Sequence, residues 1–287
     1  MSEKHVDEVS GVATTGHEWD GIRELDNPMP RWWLWTFYAT IVWAIGYVIA
    51  YPAIPLINGA TPGLLGYSSR AEVVAELAEA QIAQGTLLEK VAATPLDEIA
   101  SDPELLQFAI AGGSSAFKVN CAQCHGSGAA GSAGYPNLND DDWLWGGTID
   151  EIYLTIAHGI RYDGDDDTRY SEMPAFGDML ETAQINEVAA YVVSLSDTPR
   201  DPAMVEPGKV IYAENCAACH GDNGEGITDF GAPRLSDGIW LKGSTEAQIA
   251  QQIRNPKHGA MPAWIGRLGA PTIKQLAVYV HTLGGGQ

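Results

Sequence analysis

All four cysteines of this chain lie in two copies of one five-residue phrase, CAQCH at 121–125 and CAACH at 216–220, 95 positions apart. Cys-x-x-Cys-His is the attachment sequence of a c-type haem. Two thiols on one turn can add to the two vinyl groups along one porphyrin edge, and the adjacent imidazole is then held beneath the iron. Cys121 and Cys124 would carry a first haem with His125 below it, and Cys216 and Cys219 a second with His220 below it. Three other uses compete. A redox dithiol needs no histidine directly after it and does not explain a matched repeat. Zinc wants four ligands close together, whereas these pairs bring one histidine apiece. A disulfide seldom joins cysteines only three positions apart.

The repeat extends well past the cysteines. Pro136, Leu138 and Trp143 recur as Pro233, Leu235 and Trp240, each 97 positions on. His158-Gly159 recurs as His258-Gly259, MPAF from Met173 as MPAW from Met261, and AAYVVSL as LAVYVHTL. Between the HG and MP pairs the first copy holds 13 residues and the second only one. Such co-linear order implies a duplicated domain, with halves at 101–196 and 206–287 and a Pro-containing linker, SDTPRDPAMVEP, between them. Helices are expected ahead of each cysteine phrase and over 185–195 and 273–283. The halves read as all-α, and each is too small for a thick core of its own, so a covalently held haem would complete it.

The ligand on the second face of the iron decides the job: His or Met makes a six-coordinate electron carrier, an open position a catalyst or gas binder. Met173 and Met261 are the candidates, because each stands in a shared MPA context and the residue before proline is held extended. Met179 and Met204 lack that context and read as packing or linker residues. His158 and His258 are rival ligands, but they precede their methionines by 15 and three residues, so their geometry would differ between the halves. The acidic run YDGDDD inside the first insertion reads as a solvated loop; its spacing is not that of an EF-hand calcium loop.

Between Arg31 and Arg70 there is no charged residue. Trp32–Tyr51 is almost wholly apolar, and 20 residues of helix at ~1.5 Å each cross a ~30 Å hydrocarbon core. Trp32, Trp33 and Trp35 gather at one end of it and Tyr47 and Tyr51 at the other, as aromatic belts do, and Pro52 and Pro55 end the helix. This gives an anchor at 32–55 after an N-terminal segment, 1–31, too acidic to be a cleavable signal. Arg23 and Arg31 lean the N-terminus towards the cytoplasm. A linker over 56–100 carries an amphipathic helix expected to begin at Ser69, with Ser69 and Glu72 at capping-box spacing and Val73, Leu77, Ala80, Leu87 and Leu88 on one face. The net charge of −21 argues against nucleic acid and favours a basic partner.

With DGIRELDNPMPRWW leading into a single anchor and two haem-attachment repeats behind it, the chain resembles the dihaem subunit, subunit III of the CcoP/FixP type, of cbb3-type cytochrome c oxidases. The resemblance runs through nearly the whole length. It implies two tandem class-I-like cytochrome c domains, two covalent haem c groups, and axial pairs His125/Met173 and His220/Met261. By similarity to cytochromes c in general, the Pro136 and Pro233 carbonyls would orient the proximal imidazoles. Haem domains in the periplasm, a bacterial inner-membrane location and a proton-pumping oxidase complex follow from the same resemblance. So do a catalytic haem–copper subunit and a monohaem cytochrome c subunit as neighbours, with a basic cytochrome c as donor. The chain itself would be a non-catalytic electron conduit, since its span contains no histidine to hold an intramembrane metal centre. Two other classes stand beside this reading: a membrane-tethered shuttle serving several reductases, and a dihaem peroxidase, which would need one open iron.

Overall fold

The computed structural model describes residues 5–286; the first four residues of the N-terminal segment and Gln287 lie outside it. It divides into two compact units, one running to Gln81 and the other from Ile82 onward.

The first unit opens on a hairpin, β1 (Thr14–Trp19) and β2 (Ile22–Leu25). Asp20 and Gly21 make its turn with φ of 52° and 83°, the left-handed pair that a two-residue hairpin requires and that Asp-Gly supplies. Glu18 and Arg23 pair across the strands at 2.7 Å. The Asp-Gly pair is the sequence signal for this hairpin. Helix α1 (Arg31–Ala50) follows, entered through Pro30 and ended by an extended Tyr51. None of its residues is buried, and it is long and apolar enough to cross a membrane. A helix apolar on every side needs an apolar surrounding. The Tyr47, Ile49 and Ala50 carbonyls at its end accept from the chain beyond it, as an apolar surrounding favours. The short strands β3 (Pro55–Leu56) and β4 (Gly59–Ala60) turn the backbone round, after which Leu64 and Leu65 N–H donate to the Ile49 and Ala50 carbonyls. Gly63 makes the close approach: with φ +66°, an added Cβ would stand 2.4 Å from the Ala50 oxygen.

Helix α2 (Ser69–Ala93) begins where expected. The hydroxyl that caps it belongs to Ser68, which accepts from Ala71 N–H, while Glu72 takes the Tyr67 hydroxyl instead of closing a box with Ser69. Val73 and Leu77 are more than half exposed, so the apolar face foreseen there packs only at its far end, where Leu87 and Val91 join a core.

In the second unit come α3 (Leu96–Ser101), α4 (Pro103–Asn120), α5 (Ala122–His125), α6 (Ile149–His158), α7 (Thr182–Ser194), α8 (Val205–Asn215), α9 (Ala217–His220), α10 (Glu246–Arg254) and α11 (Ile265–His281). α11 is broken at Gly269, φ +73°, just before Pro271. The expected boundaries of the C-terminal helices, 185–195 and 273–283, fall within two or three residues of α7 and of the post-kink part of α11.

Two hydrophobic cores form, and they do not follow the repeats. The first gathers Leu105, Ala109 and Phe117 of α4 and Ile152 and Ile156 of α6 around Ile273, Leu276 and Val280 of α11. The second gathers Ile211 and Tyr212 of α8 and Ile249 and Ile253 of α10 around Ile185, Val188 and Val192 of α7. Each half therefore lends its last helix to the other. Glycines 95 positions apart admit the two crossings: a Cβ on Gly113 would meet Tyr279 Cβ at 2.6 Å, and one on Gly208 would meet Tyr191 Cβ at 3.0 Å. Phe117 stacks at a tilt on Tyr279, and Tyr212 on Tyr191. The C-terminal end follows α11, since Trp143 Nε1 donates to the Gly285 carbonyl. Lys274 ties the first core to α2, its ammonium reaching the Val91, Ala92 and Thr94 carbonyls at 3.2, 2.9 and 2.6 Å. A cation at a helix C-terminus is favourably placed against the dipole. The two cores thus each draw on residues from both halves.

Candidate haem-attachment sites

Each Cys-x-x-Cys-His phrase occupies a single helical turn at the end of a long helix. α4 runs into Cys121 and α5, and α8 into Cys216 and α9. The turn closes identically in both, with the histidine N–H donating to the first cysteine's carbonyl at 3.0 Å. In each phrase the first thiol is half-buried and the second exposed. Burial, with a smaller push from the neighbouring thiol, raises Cys121 and Cys216 to about 11.

The histidines of the two phrases are held alike. His125 Nδ1 lies 3.2 Å from the Pro136 carbonyl and His220 Nδ1 3.0 Å from that of Pro233. A carbonyl only accepts, so Nδ1 carries the proton and Nε2 keeps its lone pair for a metal. Burial lowers both imidazole pKa values against the opposing pull of the proline carbonyl, which favours the neutral, ligating form. Gly131 and Gly226, at φ +68° and +75°, let the following loop pass close to these carbonyls. The Tyr212 hydroxyl adds a brace at the second phrase by donating to the Gly221 carbonyl at 2.8 Å. Two oriented imidazoles, two thiols beside each and an apolar core above each suit a thioether-linked haem.

The methionines are both half-buried against a core, but crosswise. Met261 packs on the core that contains Cys121, and Met173 on the core that contains Cys216. Each methionine therefore shares a core with the attachment turn of the other half, which bears on the axial pairing implied by family resemblance, His125 with Met173 and His220 with Met261. The exchange of helices puts His125 and Met261 on one core and His220 and Met173 on the other. Met261 is fixed by two backbone hydrogen bonds, both 2.9 Å, exchanged with Ile160, and Trp264 N–H reaches the Ile156 and Ala157 carbonyls. Met179, at 59 % exposure, is surface rather than packing, while Met204 is half-buried where the linker enters α8.

The unequal loops acquire a meaning. One residue suffices between HG and MP in the second half because that passage lies directly against Ile160. The first passage, 160–172, must leave the first core and arrive at the second. His158 belongs to this crossing: its Nδ1 lies 3.2 Å from Asp165 Oδ1, and Asp165 also accepts from Asp167 N–H at 2.8 Å. The acidic run is therefore partly folded in, with the Asp165 side chain only 13 % exposed. His158, Asp165 and Asp167 bring ligand atoms within 4.8 Å of one another, an arrangement the His–Asp contact already accounts for. His258 is exposed.

Comparison with known proteins decides the family. The family described as the N-terminal domain of cytochrome oxidase-cbb3, FixP, matches residues 11–58, cytochrome c matches 110–196, and cytochrome c oxidase, cbb3-type, subunit III, matches 203–280. The chain is 63 % identical over 286 residues to the cbb3-type cytochrome c oxidase subunit FixPc of Rhizobium leguminosarum bv. viciae, covering 100 % of both chains. It is 63 % identical to FixP of Rhizobium meliloti (99 % of this chain, 98 % of that one). Against CcoP of Cereibacter sphaeroides it is 55 % identical (96 % and 95 %). The chain belongs to the FixP/CcoP family. It is a dihaem cytochrome c subunit of a cbb3 oxidase with an electron-transfer role, mostly helical, with one N-terminal apolar helix ahead of two cytochrome c domains. Within this FixP/CcoP chain, the stretch quoted above for the resemblance falls inside the matched N-terminal domain.

The thiols give a direct check on the chain before haem is attached. At pH 8 a thiol with a pKa of about 11 is ionised to roughly one part in a thousand, and only the thiolate reacts. Iodoacetamide should label the exposed Cys124 and Cys219 well ahead of Cys121 and Cys216, and none of the four once both haems are bound. Peptide mapping reads the order; equal labelling would contradict the burial seen here.

Proposed function

We propose that this chain carries one haem c at Cys121 and Cys124, between His125 and Met261, and a second at Cys216 and Cys219, between His220 and Met173. Through them it relays electrons from a basic cytochrome c to a haem–copper subunit of the oxidase. The observation that carries the reading is that each attachment turn shares one apolar core with one MPA methionine, while a proline carbonyl orients its imidazole. Bound haem supplies a one-electron ferrous–ferric couple. The protein's residues do the rest. The cysteines fix the group in place, and the histidines present neutral Nε2. The methionines offer soft, uncharged sulfur that favours the ferrous state and raises the potential. The cores exclude water around both sites.

Residues 32–287 hold 30 of the 37 acids but 13 of the 16 bases, so the field of this part draws a basic donor and raises its rate of encounter. With α1 spanning a bacterial inner membrane, residues 1–31 are cytoplasmic and the haem-bearing part periplasmic. A monohaem cytochrome c subunit completes the neighbourhood. The reduction of oxygen and its coupling to proton pumping belong to the partners, as α1 offers no histidine.

Gentle solubilisation followed by purification on a tag carried by this chain tests the proposal. The expected result is two haems c per chain by pyridine haemochrome and co-purification with a haem–copper subunit and a monohaem subunit. A single haem, or a chain that leaves the membrane alone, would refute it.

A further inference from the structure

The two passages that exchange between the cores meet at one side chain. Arg161 Nε donates to the Gly259 carbonyl at 2.7 Å, and its Nη1 donates to the Ser171 carbonyl at 2.8 Å. Gly259 stands two residues before Met261, and Ser171 two residues before Met173. One guanidinium thus spans the approaches to both methionines, although these belong to different halves and pack on different cores.

The backbone beneath it is held in an uncommon state. Arg161 has φ +49°, a left-handed conformation that a long L side chain rarely adopts. Its neighbours enforce it. Ile160 exchanges both hydrogen bonds with Met261, and Arg161 N–H donates to the Arg169 carbonyl at 2.9 Å. The other arginine of this loop does something else: Arg169 Nη1 reaches the Trp145 carbonyl and, at 2.9 Å, Thr155 Oγ1, touching neither methionine segment. Arginine suits the bridging position because its planar fork offers five donors in fixed directions, so two carbonyls on different segments can be served at once. A lysine ammonium has the charge without the fork.

We propose that Arg161 is a positioning residue for both methionine sulfurs, holding the sixth-ligand geometry of the two haems from one side chain. This rests on the methionine ligation proposed above. Local damage to either methionine segment should disturb one haem; loss of Arg161 should disturb both.

The test uses the full-length chain within its purified complex and four variants: Arg161→Lys, Arg161→Ala, Met173→His and Met261→His. Haem content, the far-red charge-transfer band of thioether-bound ferric iron and a redox titration are recorded for each. Each Met→His change should remove one haem's share of the band. Arg161→Lys should keep two haems per chain yet weaken the band at both sites and lower both potentials, and Arg161→Ala should do so further. The inference fails alone if the two Met variants behave as stated but both Arg161 variants leave the two sites as in the parent, or shift only one. If the Met variants leave the band untouched, the ligation reading fails and takes this inference with it.

Discussion

Met261→His lowers the potential of the haem attached at Cys121 and Cys124, and leaves the haem at Cys216 and Cys219 close to its original value. The expected drop is on the order of 0.2 V, within the ~0.8 V over which axial ligands tune haem iron. Imidazole is the better donor to ferric iron and thioether the softer partner of ferrous iron, so the exchange favours oxidation. The direction alone is ordinary; the address is what matters. Met261 follows the second attachment phrase in sequence, yet it packs on the core built around the first. The reciprocal change, Met173→His, should strike the haem at Cys216 and Cys219. Potentials assigned to individual haems in chains that retain a single attachment phrase would read the address. A drop at the haem nearest in sequence would contradict the crossed arrangement.

Leu276→Ala should destabilise the first core and spare the second. Leu276 is fully buried on α11, within the cluster formed with α4 and α6. Removing a buried leucine to its Cβ costs about 2–5 kcal/mol through lost transfer energy and the cavity left behind. Because α11 also follows directly on Met261 and Trp264, loosening it should make the Met261 sulfur leave its place first. Thermal unfolding should then show loss of the far-red band at the Cys121 site ahead of the Cys216 site. Val188→Ala on α7, where the side chain is equally buried in the second core, should give the mirror result at smaller cost. Should Leu276→Ala instead weaken the Cys216 site, the helix exchange is wrong.

The chemistry was legible in the sequence because it depends on spacings of a few residues. Cys-x-x-Cys-His fits one turn whatever surrounds it, and Pro136 and Pro233 follow their histidines closely enough to fold back on them. The span was legible because absence of charge over a bilayer's width is a local property. Helix exchange was not. The surfaces that meet are alike in both halves: a glycine and an aromatic on α4 and α8 (Gly113 and Phe117, Gly208 and Tyr212) face a tyrosine on α11 and α7. The local sequence of the two halves therefore does not distinguish an exchanged packing from a direct one. One trace of the difference does stand in the sequence, the 13-residue passage set against a single residue. Arg161 carried no signal either, as its role arises from main-chain carbonyls 98 and 10 positions away. The hairpin at Asp20-Gly21 is signalled by its turn alone, since its strands are short and, apart from the start of β1, exposed.

An experimental density map of the intact oxidase at a resolution that separates axial ligands tests the central claim most directly. The account predicts continuous density from the iron held at Cys121 and Cys124 to Met261 Sδ, and from the iron held at Cys216 and Cys219 to Met173 Sδ. Density joining each iron to the methionine of its own repeat would contradict it.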